Sequence, residues 1–181
     1  SGMINFAQNN IANGAAGIQW HQDFYDAIKT PQTCSSVGYQ SISSRIEAES
    51  FCGMQGIQTE PTADTGGGQN VGWIEVGDWL EYNINVPAAG NYTLNYRVAS
   101  TGNTGQLQLI APSGTLAPTT IPNTSVWQNW SSVSTTVSLS AGQQKIRLYA
   151  SGAAFNFNWF QLSPASTTSS SSPQSSSSVP A

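Results

Sequence analysis

The sequence predicts an all-β fold, an antiparallel β-sandwich, followed by a serine-rich linker. Two observations predict the sandwich: short segments alternate apolar and polar residues with a period of two, and turn-forming residues separate them. The alternation extends over residues 45–162, with no long segment of helical period to compete with it. Many short strands at this spacing are typical of sandwiches rather than of helix-containing folds.

Four segments show the alternation most clearly. Their apolar positions are Tyr92, Leu94, Tyr96 and Val98; Leu107 and Leu109; Val133, Val137 and Leu139; and Ile146 and Leu148. The segments are separated by turn signals at 87–90, 101–105, 112–114 and 141–142. The apolar stretch 155–160 would close the sandwich, and we expect its Trp159 to lie in the core.

The chain divides into three parts by composition. We interpret residues 1–40 as an N-terminal extension that packs on the sandwich or as a remnant of an upstream neighbour, 41–164 as the sandwich, and 165–181 as the linker. Nine of the last seventeen residues are serine, which predicts a disordered, flexible segment and a further domain beyond it. Cys34 and Cys52 indicate one disulfide in an oxidising, secreted setting, or else two free buried thiols.

The composition argues against two classes of partner. Only 8% of the residues are charged, and five cations against nine acids cannot form the basic stripe that nucleic acid requires. No apolar run approaches the ~20 residues of a membrane span. Polarity carried by Ser, Thr, Asn, Gln and Gly suits a neutral ligand that is recognised through hydrogen bonds.

Two features suggest a metal site. Glu47 and Glu49 would point to one face of a strand, where a calcium ion could offset their repulsion, or where they could simply be a solvated pair. The segment Asp64–Trp73 contains three consecutive glycines, which can adopt positive φ and bring carbonyl oxygens together, or form an ordinary long turn.

The tryptophans suggest a ligand site. Trp73 and Trp127 lie in polar loop segments, where an indole can stack on the apolar face of a sugar or simply pack at the rim of the core. Trp79 shares strand parity with Glu81 and would lie on an outer sheet face, as a possible second platform. Asn156 lies between aromatic residues, where a buried amide must find hydrogen-bond partners.

Two other functions remain open at this stage. A small glycoside hydrolase or lyase would need two carboxylates, for which Glu60, Glu75, Asp78 and Glu81 qualify by residue type alone. A structural adhesion domain that binds protein is the other. Neither a nucleophile elbow nor a recognisable serine–histidine triad is present.

Together, five segments resemble carbohydrate-binding module family 6 in their order and combination. They are Ile46–Glu49, Thr59–Gly68, Val71–Tyr82, Tyr92–Ala99 and Phe155–Phe160, within residues 45–163. The serine-rich tail resembles linkers of bacterial polysaccharide-degrading enzymes. The resemblance implies a jelly-roll sandwich that is not an enzyme, secreted, monomeric and covalently linked to a catalytic domain that it holds on its polysaccharide.

The resemblance also implies the residues of two sites. Trp73 and Trp127 would form the walls of a sugar cleft, with Asn156 at its floor and Glu60 as an acceptor for hydroxyl groups. A structural calcium would be bound by three residues, Glu47, Glu49 and Asn158. The family includes binders of xylan, β-glucans and agarose, and we favour agarose or another marine galactan as the ligand.

Overall fold

The computed structural model describes Cys34 and residues 37–165. This part of the chain forms strands and one short 3₁₀ helix, Ala48–Ser50. The strands are β1 Gln40–Ser41, β2 Ile46–Glu47, β3 Gly53–Gln55, β4 Gln58–Pro61, β5 Gln69–Gly72, β6 Trp79–Val86, β7 Gly90–Ala99, β8 Gln106–Ala111, β9 Gly114–Thr115, β10 Thr119–Thr120, β11 Ser131–Leu139, β12 Gly142–Ala150 and β13 Asn156–Pro164. The all-β prediction is confirmed.

The strands form two sheets. One has seven strands with the order β1-β6-β12-β8-β10, with β3 paired to β6 and β9 to β8. The other has six strands with the order β11-β7-β13-β5-β4, with β2 paired to β13. The short β1 runs parallel to β6, whereas the long strands pair antiparallel. The sandwich prediction is therefore confirmed.

The core lies between the inner faces of the two sheets, where the alternating apolar residues meet. Tyr82 of β6 contacts Phe160 of β13 edge to face, with ring centroids 4.9 Å apart. The Tyr82 hydroxyl donates to the carbonyl of Ala48 at 2.7 Å, which satisfies its polar end inside the core. The positions that the alternation predicted in β7, β8 and β12 also enter the core, as do Val137 and Leu139 of β11, and further apolar residues of β5, β6 and the loops complete it.

Strand β13 departs from simple alternation and corrects one prediction. Its pairing with β7 shifts register between Phe157 and Trp159, as at a β-bulge, so that Phe157 and Phe160 both enter the core. Trp159 was expected in the core, but it is only half-buried, with the guanidinium of Arg45 5.6 Å from its ring centroid. The expectation relied on the apolar composition of this segment, which does not show that the register shift puts Phe160 rather than Trp159 into the core.

The segment that precedes the sandwich is attached to the seven-stranded sheet. The Cys34–Cys52 disulfide is formed, which decides between the two interpretations of the cysteines. Asn83 of β6 donates from Nδ2 to the carbonyls of Cys34 (3.3 Å) and Val37 (2.8 Å). The rest of the predicted extension, and the linker after Ala165, lie outside the described residues. Among those described, no helix is long and apolar enough to cross a membrane.

Candidate functional site

Four segments far apart in the sequence meet in one open cleft. Glu60 belongs to β4, Trp73 follows β5 directly, Trp127 lies in the loop between β10 and β11, and Asn156 begins β13. These four residues and Gln128 line a hollow of about 350 Å³. The structure thus brings together all four residues that the sequence suggested for a sugar site.

The two indoles are exposed to solvent, unlike most large aromatic side chains among the described residues. The exposed fraction is 54% for Trp73 and 43% for Trp127. Exposed apolar surface of this size is poorly explained by packing and typically marks a binding site. The loop position of both residues, which the sequence predicted, is confirmed.

The backbone around Trp73 is held in an unusual conformation. Trp73 has φ of 54°, in the left-handed region that a non-glycine residue seldom adopts. A Cβ atom on the preceding Gly72 would lie 2.8 Å from Asn156 Oδ1, so a larger residue there would require the Asn156 amide to shift. The end of β5 therefore lies in close contact with the Asn156 amide, next to the point where the Trp73 indole leaves the sheet.

A set of amides surrounds the carboxylate of Glu60. Its Oε1 accepts hydrogen bonds from Asn156 Nδ2 (2.9 Å), Gln128 Nε2 (3.1 Å) and Asn70 Nδ2 (3.2 Å). Asn156 Nδ2 also donates to the carbonyl of Trp127 at 3.0 Å. One carboxylate oxygen is thus fully occupied by neutral donors, and the cleft floor is tied to the wall that carries Trp127.

Sequence reasoning missed Asn70 and Gln128. Asn70 is completely buried and lies directly opposite Glu60 in the β4–β5 hairpin. Counting residues outward from the glycine turn would have indicated that pairing. For Gln128 the only signal is its position next to Trp127, which does not specify which way its amide points.

A second hollow continues from the first and shares both tryptophans. It has a volume of about 260 Å³, and its lining adds Glu75, Ala154 and Phe155. The backbone of this side is fixed by Asp78, whose Oδ2 accepts from the Glu75 amide at 2.8 Å. The cleft is therefore longer than the space between the two indoles.

The acids considered for catalysis are divided between the cleft and the seven-stranded sheet. Glu60 lies in the first hollow and Glu75 in the second, whereas Glu81 lies on the outward face of the seven-stranded sheet. There Arg147 Nη2 lies 2.7 Å and Lys145 Nζ 3.0 Å from Glu81 Oε1. Glu81 is therefore engaged by two cations outside the cleft and does not form a carboxylate pair with Glu60 or Glu75.

The predicted strand geometry of Glu47 and Glu49 is wrong. Strand β2 ends at Glu47 and the chain turns into the 3₁₀ helix, so the two side chains are not neighbours on one strand face. Glu47 Oε1 instead pairs with Arg45 Nη2 at 2.6 Å. Glu49 is different, because its Oε2 is buried without a hydrogen-bond partner.

Asn158 and the glycine loop lie beside an ordered acid. Asn158 Nδ2 donates to Asp64 Oδ2 at 2.8 Å, while its Oδ1 is buried and unpaired. A hydrogen bond from Arg97 is the main reason why the pKa of Asp64 falls from 3.8 to about 2. The three glycines 66–68 all have positive φ, as predicted, and a Cβ on Gly68 would lie 3.6 Å from Glu49 Oε1.

These observations test the metal site by the chemistry of its donors. Glu49 Oε2 and Asn158 Oδ1 are buried oxygens that accept no hydrogen bond. Such oxygens are suitable ligands for a hard cation. Within the described residues no three His, Cys, Asp or Glu side chains cluster, so amide and carbonyl oxygens would have to complete the coordination. Calcium tolerates such ligands, and the donor set therefore fits it.

Trp79 does not offer an open platform. Its exposed fraction is 9%, and the Arg147 guanidinium covers its ring at 4.2 Å from the centroid. Its Nε1 donates to Gln55 Oε1 at 2.9 Å. The residue lies on the outward face with Glu81, as the strand parity predicted, but other side chains occupy that surface.

Comparison with known proteins identifies the family. The model of the carbohydrate-binding module family 6 matches residues 47–164. The module of Cellvibrio mixtus lichenase 5A, solved with cellotriose, is 38% identical with a TM-score of 0.65, covering 68% of this chain and 98% of that one. A β-1,3-glucan-binding family 6 module from Bacillus halodurans is 34% identical with a TM-score of 0.65, covering 71% and 100%.

Curated relatives are much longer than the matched region. The clotting factor G alpha subunit of Tachypleus tridentatus is 37% identical over 68% of this chain and 19% of its own length. A β-agarase of Microbulbifer thermotolerans is 32% identical over 51% of this chain and 22% of its own. The chain spans less than a quarter of the length of these and five other curated relatives. It belongs to carbohydrate-binding module family 6, a family of non-catalytic modules with a jelly-roll sandwich fold.

Proposed function

We propose that this module binds β-glucan chains in the cleft between Trp73 and Trp127. The observation that carries the proposal is the pair of half-exposed indoles lining one hollow above a floor of amides and one carboxylate. An indole face packs against the C–H groups of a pyranose, while the floor accepts and donates hydrogen bonds to its hydroxyl groups. Asn156 and Glu60 would fix the orientation of the sugar.

The cleft suits a chain rather than a single ring. The second hollow places Glu75 beyond the tryptophan pair, where it could accept a hydrogen bond from the next sugar unit. Both hollows are lined by both indoles, so consecutive units would share the same apolar walls. We therefore propose a ligand of at least two sugar units.

Relatives favour a β-glucan over the agarose suggested by the sequence. A family 6 module from a Zobellia galactanivorans laminarinase is 40% identical, and the lichenase and β-1,3-glucan-binding modules are 38% and 34% identical. The two agarase matches cover 51% and 60% of this chain at 32% and 29% identity. The larger and more similar region shared with glucan-related modules supports β-glucan as the first ligand to test.

A structural calcium ion forms the second part of the proposal. Glu49 Oε2 and Asn158 Oδ1 would bind it, together with carbonyl oxygens of the glycine loop at 66–68. Glu47 would contribute only after leaving Arg45. The ion would offset the burial of otherwise unpaired oxygens and fix the loop that leads into β5.

In its native setting the module would keep a linked polysaccharide-degrading enzyme close to its substrate, outside the cell. The family and the polysaccharide-degrading relatives support this role. Binding would raise the local concentration of substrate without breaking a bond. We expect the module to be a monomer, which sedimentation can test.

The decisive experiment is binding of the purified chain to a panel of polysaccharides. Retention by β-1,3-glucan or mixed-linkage β-glucan is the expected result. Retention by agarose alone would mean that the ligand is a galactan and not a β-glucan. Failure to bind any polysaccharide would contradict the proposal and favour the adhesion alternative. Release of new reducing ends or unsaturated sugar would instead revive the enzyme alternative.

Chelation tests the calcium. Removing the ion should lower the free energy of unfolding by about 3 kcal/mol if it is present at roughly 100 times its dissociation constant. Denaturant unfolding with and without chelator measures the difference, and added calcium should reverse it. An Asn158→Leu variant should respond less to the chelator, and an equal response would exclude Asn158 as a ligand.

A further inference from the structure

The side chain of Gln128 connects the two walls of the cleft, and all of its hydrogen-bond donors and acceptors have partners. Its Nε2 donates to Glu60 Oε1 and to Asn70 Oδ1, both at 3.1 Å. Its Oε1 accepts from the backbone amide of Ala63 at 2.8 Å and from Trp130 Nε1 at 3.3 Å. An amide has two hydrogens to donate and two lone pairs to accept with, so this carboxamide has no capacity left for a sugar.

The direction of the Gln128 amide is dictated by its neighbours. Turning the amide over would place its oxygen against Glu60 Oε1 and Asn70 Oδ1, which are both acceptors. It would also place its NH₂ group against the two N–H donors of Ala63 and Trp130. All four hydrogen bonds would be lost, so only the observed orientation satisfies the site.

The consequence for Glu60 is that its two oxygens differ. Oε1 accepts three N–H groups, from Asn70, Gln128 and Asn156. Oε2 has no such bond to any described residue, while Glu60 lines the cleft. The carboxylate is therefore oriented with one oxygen held by the protein and the other left for a ligand hydroxyl.

Gln128 also holds the chain next to Trp127. Its side chain bonds to β4, to β5 and to the turn between them, whereas its backbone continues the loop that carries the indole. A shift of this loop would therefore move the Trp127 wall and release Glu60 together.

We propose that Gln128 is a positioning residue for ligand binding, which acts by donating to Glu60 and by fixing the Trp127 loop. The inference rests on the proposed function of the cleft, because it concerns how the same carboxylate and indole are presented. According to this inference, the affinity of the cleft for its ligand depends on a residue that makes no hydrogen bond of its own to the sugar.

The test is a Gln128→Glu variant, measured by calorimetry with a β-1,3-glucan hexasaccharide. At about pH 8 the introduced carboxylate would face Glu60, and we expect affinity to fall about tenfold or more. Toward about pH 5 the two carboxyls would share a proton, which restores an O–H donor to Glu60, so the affinity should recover. Wild-type affinity should not rise with acidity, because an acceptor carboxylate gains nothing from protonation.

Two further variants separate positioning from a general structural effect. Gln128→Met keeps the side-chain size without donor or acceptor, and its affinity should fall about tenfold at every pH. Gln55→Glu adds a carboxylate on the seven-stranded sheet, beside Trp79, and should bind like the wild type. Melting curves establish that each variant is folded; if Gln128→Glu is unfolded at neutral pH, the comparison uses acidic pH and Gln128→Met.

The outcomes are separable from those of the proposed function. Wild-type affinity in Gln128→Glu at about pH 8, or a loss without acidic recovery, would overturn the inference. If the wild type binds no β-glucan, the proposed ligand fails, but carboxyl ¹³C NMR of the Gln128→Glu variant still tests the contact. Coupled titration of Glu60 with the introduced group supports it, and independent titration overturns it.

Discussion

The cleft and the outer face of the seven-stranded sheet each place tryptophan near glutamate, but of these two surfaces only the cleft is open to solvent. In the cleft, Trp73 and Trp127 are 54% and 43% exposed, and Glu60 is held by neutral amides. On the seven-stranded sheet, Trp79 is 9% exposed, and Glu81 is paired with Arg147 and Lys145. The residue types are similar, but the surfaces that they form are not.

The difference lies in the partner of the acid. Arg147 pairs with Glu81 and at the same time stacks on Trp79, so a single cation satisfies the carboxylate and covers the indole. Amide donors around Glu60 fix the carboxylate from the protein side without reaching over the aromatic rings. Neutral partners thus leave both the indole faces and one carboxylate oxygen for a ligand.

Removing an indole should give the largest contrast between the two places. Trp127→Ala should weaken oligosaccharide binding about 100-fold, because a central aromatic residue of an interface is typically worth more than ~2 kcal/mol. The matched Trp79→Ala should leave affinity within about twofold but lower the free energy of unfolding by about 3 kcal/mol. Calorimetry and urea unfolding measure the two effects, and undiminished binding by Trp127→Ala would reject the cleft.

Neutralising each acid should separate affinity from stability. Glu60→Gln should reduce affinity about tenfold, since a charged acceptor of sugar hydroxyls is lost, with little change in stability. Glu81→Gln should retain affinity and lose about 1–2 kcal/mol of stability, because Arg147 and Lys145 lose their shared partner. Calorimetry and urea unfolding again measure the two effects. Loss of affinity in Glu81→Gln with unchanged affinity in Glu60→Gln would contradict the assignment of the ligand site to the cleft.

The smallest expected effect is a pH dependence of stability due to Glu81. Burial raises the pKa of its carboxyl, but hydrogen bonds from Arg147 and Lys145 outweigh burial and hold the pKa below the ordinary 4.5. A folded-state pKa below the unfolded value stabilises the fold above about pH 4.5, and this contribution is lost as the pH falls through the folded value. The stability difference between wild type and Glu81→Gln should therefore shrink by about 1 kcal/mol in acid, as denaturant titrations at several pH values can measure. A constant difference would mean that ionisation of Glu81 contributes nothing.

The long strands and the four cleft residues could be predicted from the sequence. The side chains that surround each of these residues in the folded protein could not. Alternation specified β7, β8 and β12 because one face of each strand must be buried. It failed at Glu49, where the strand ends two residues earlier, and the apolar composition of 155–160 misplaced Trp159, which the register shift in β13 leaves outside the core. Breaks of this kind arise from packing between sheets, to which local periodicity is insensitive.

By itself, the sequence determined the sandwich, the loop positions of Trp73 and Trp127, and the family to which the module belongs. These follow from local periodicity and from motifs whose residues lie close together in the chain. Only the tertiary structure decided that Arg147 covers Trp79 and that Gln128 orients Glu60, two contacts that span 68 residues each along the chain. The direction of an amide or a guanidinium depends on donors and acceptors brought together by folding, and no local pattern encodes it.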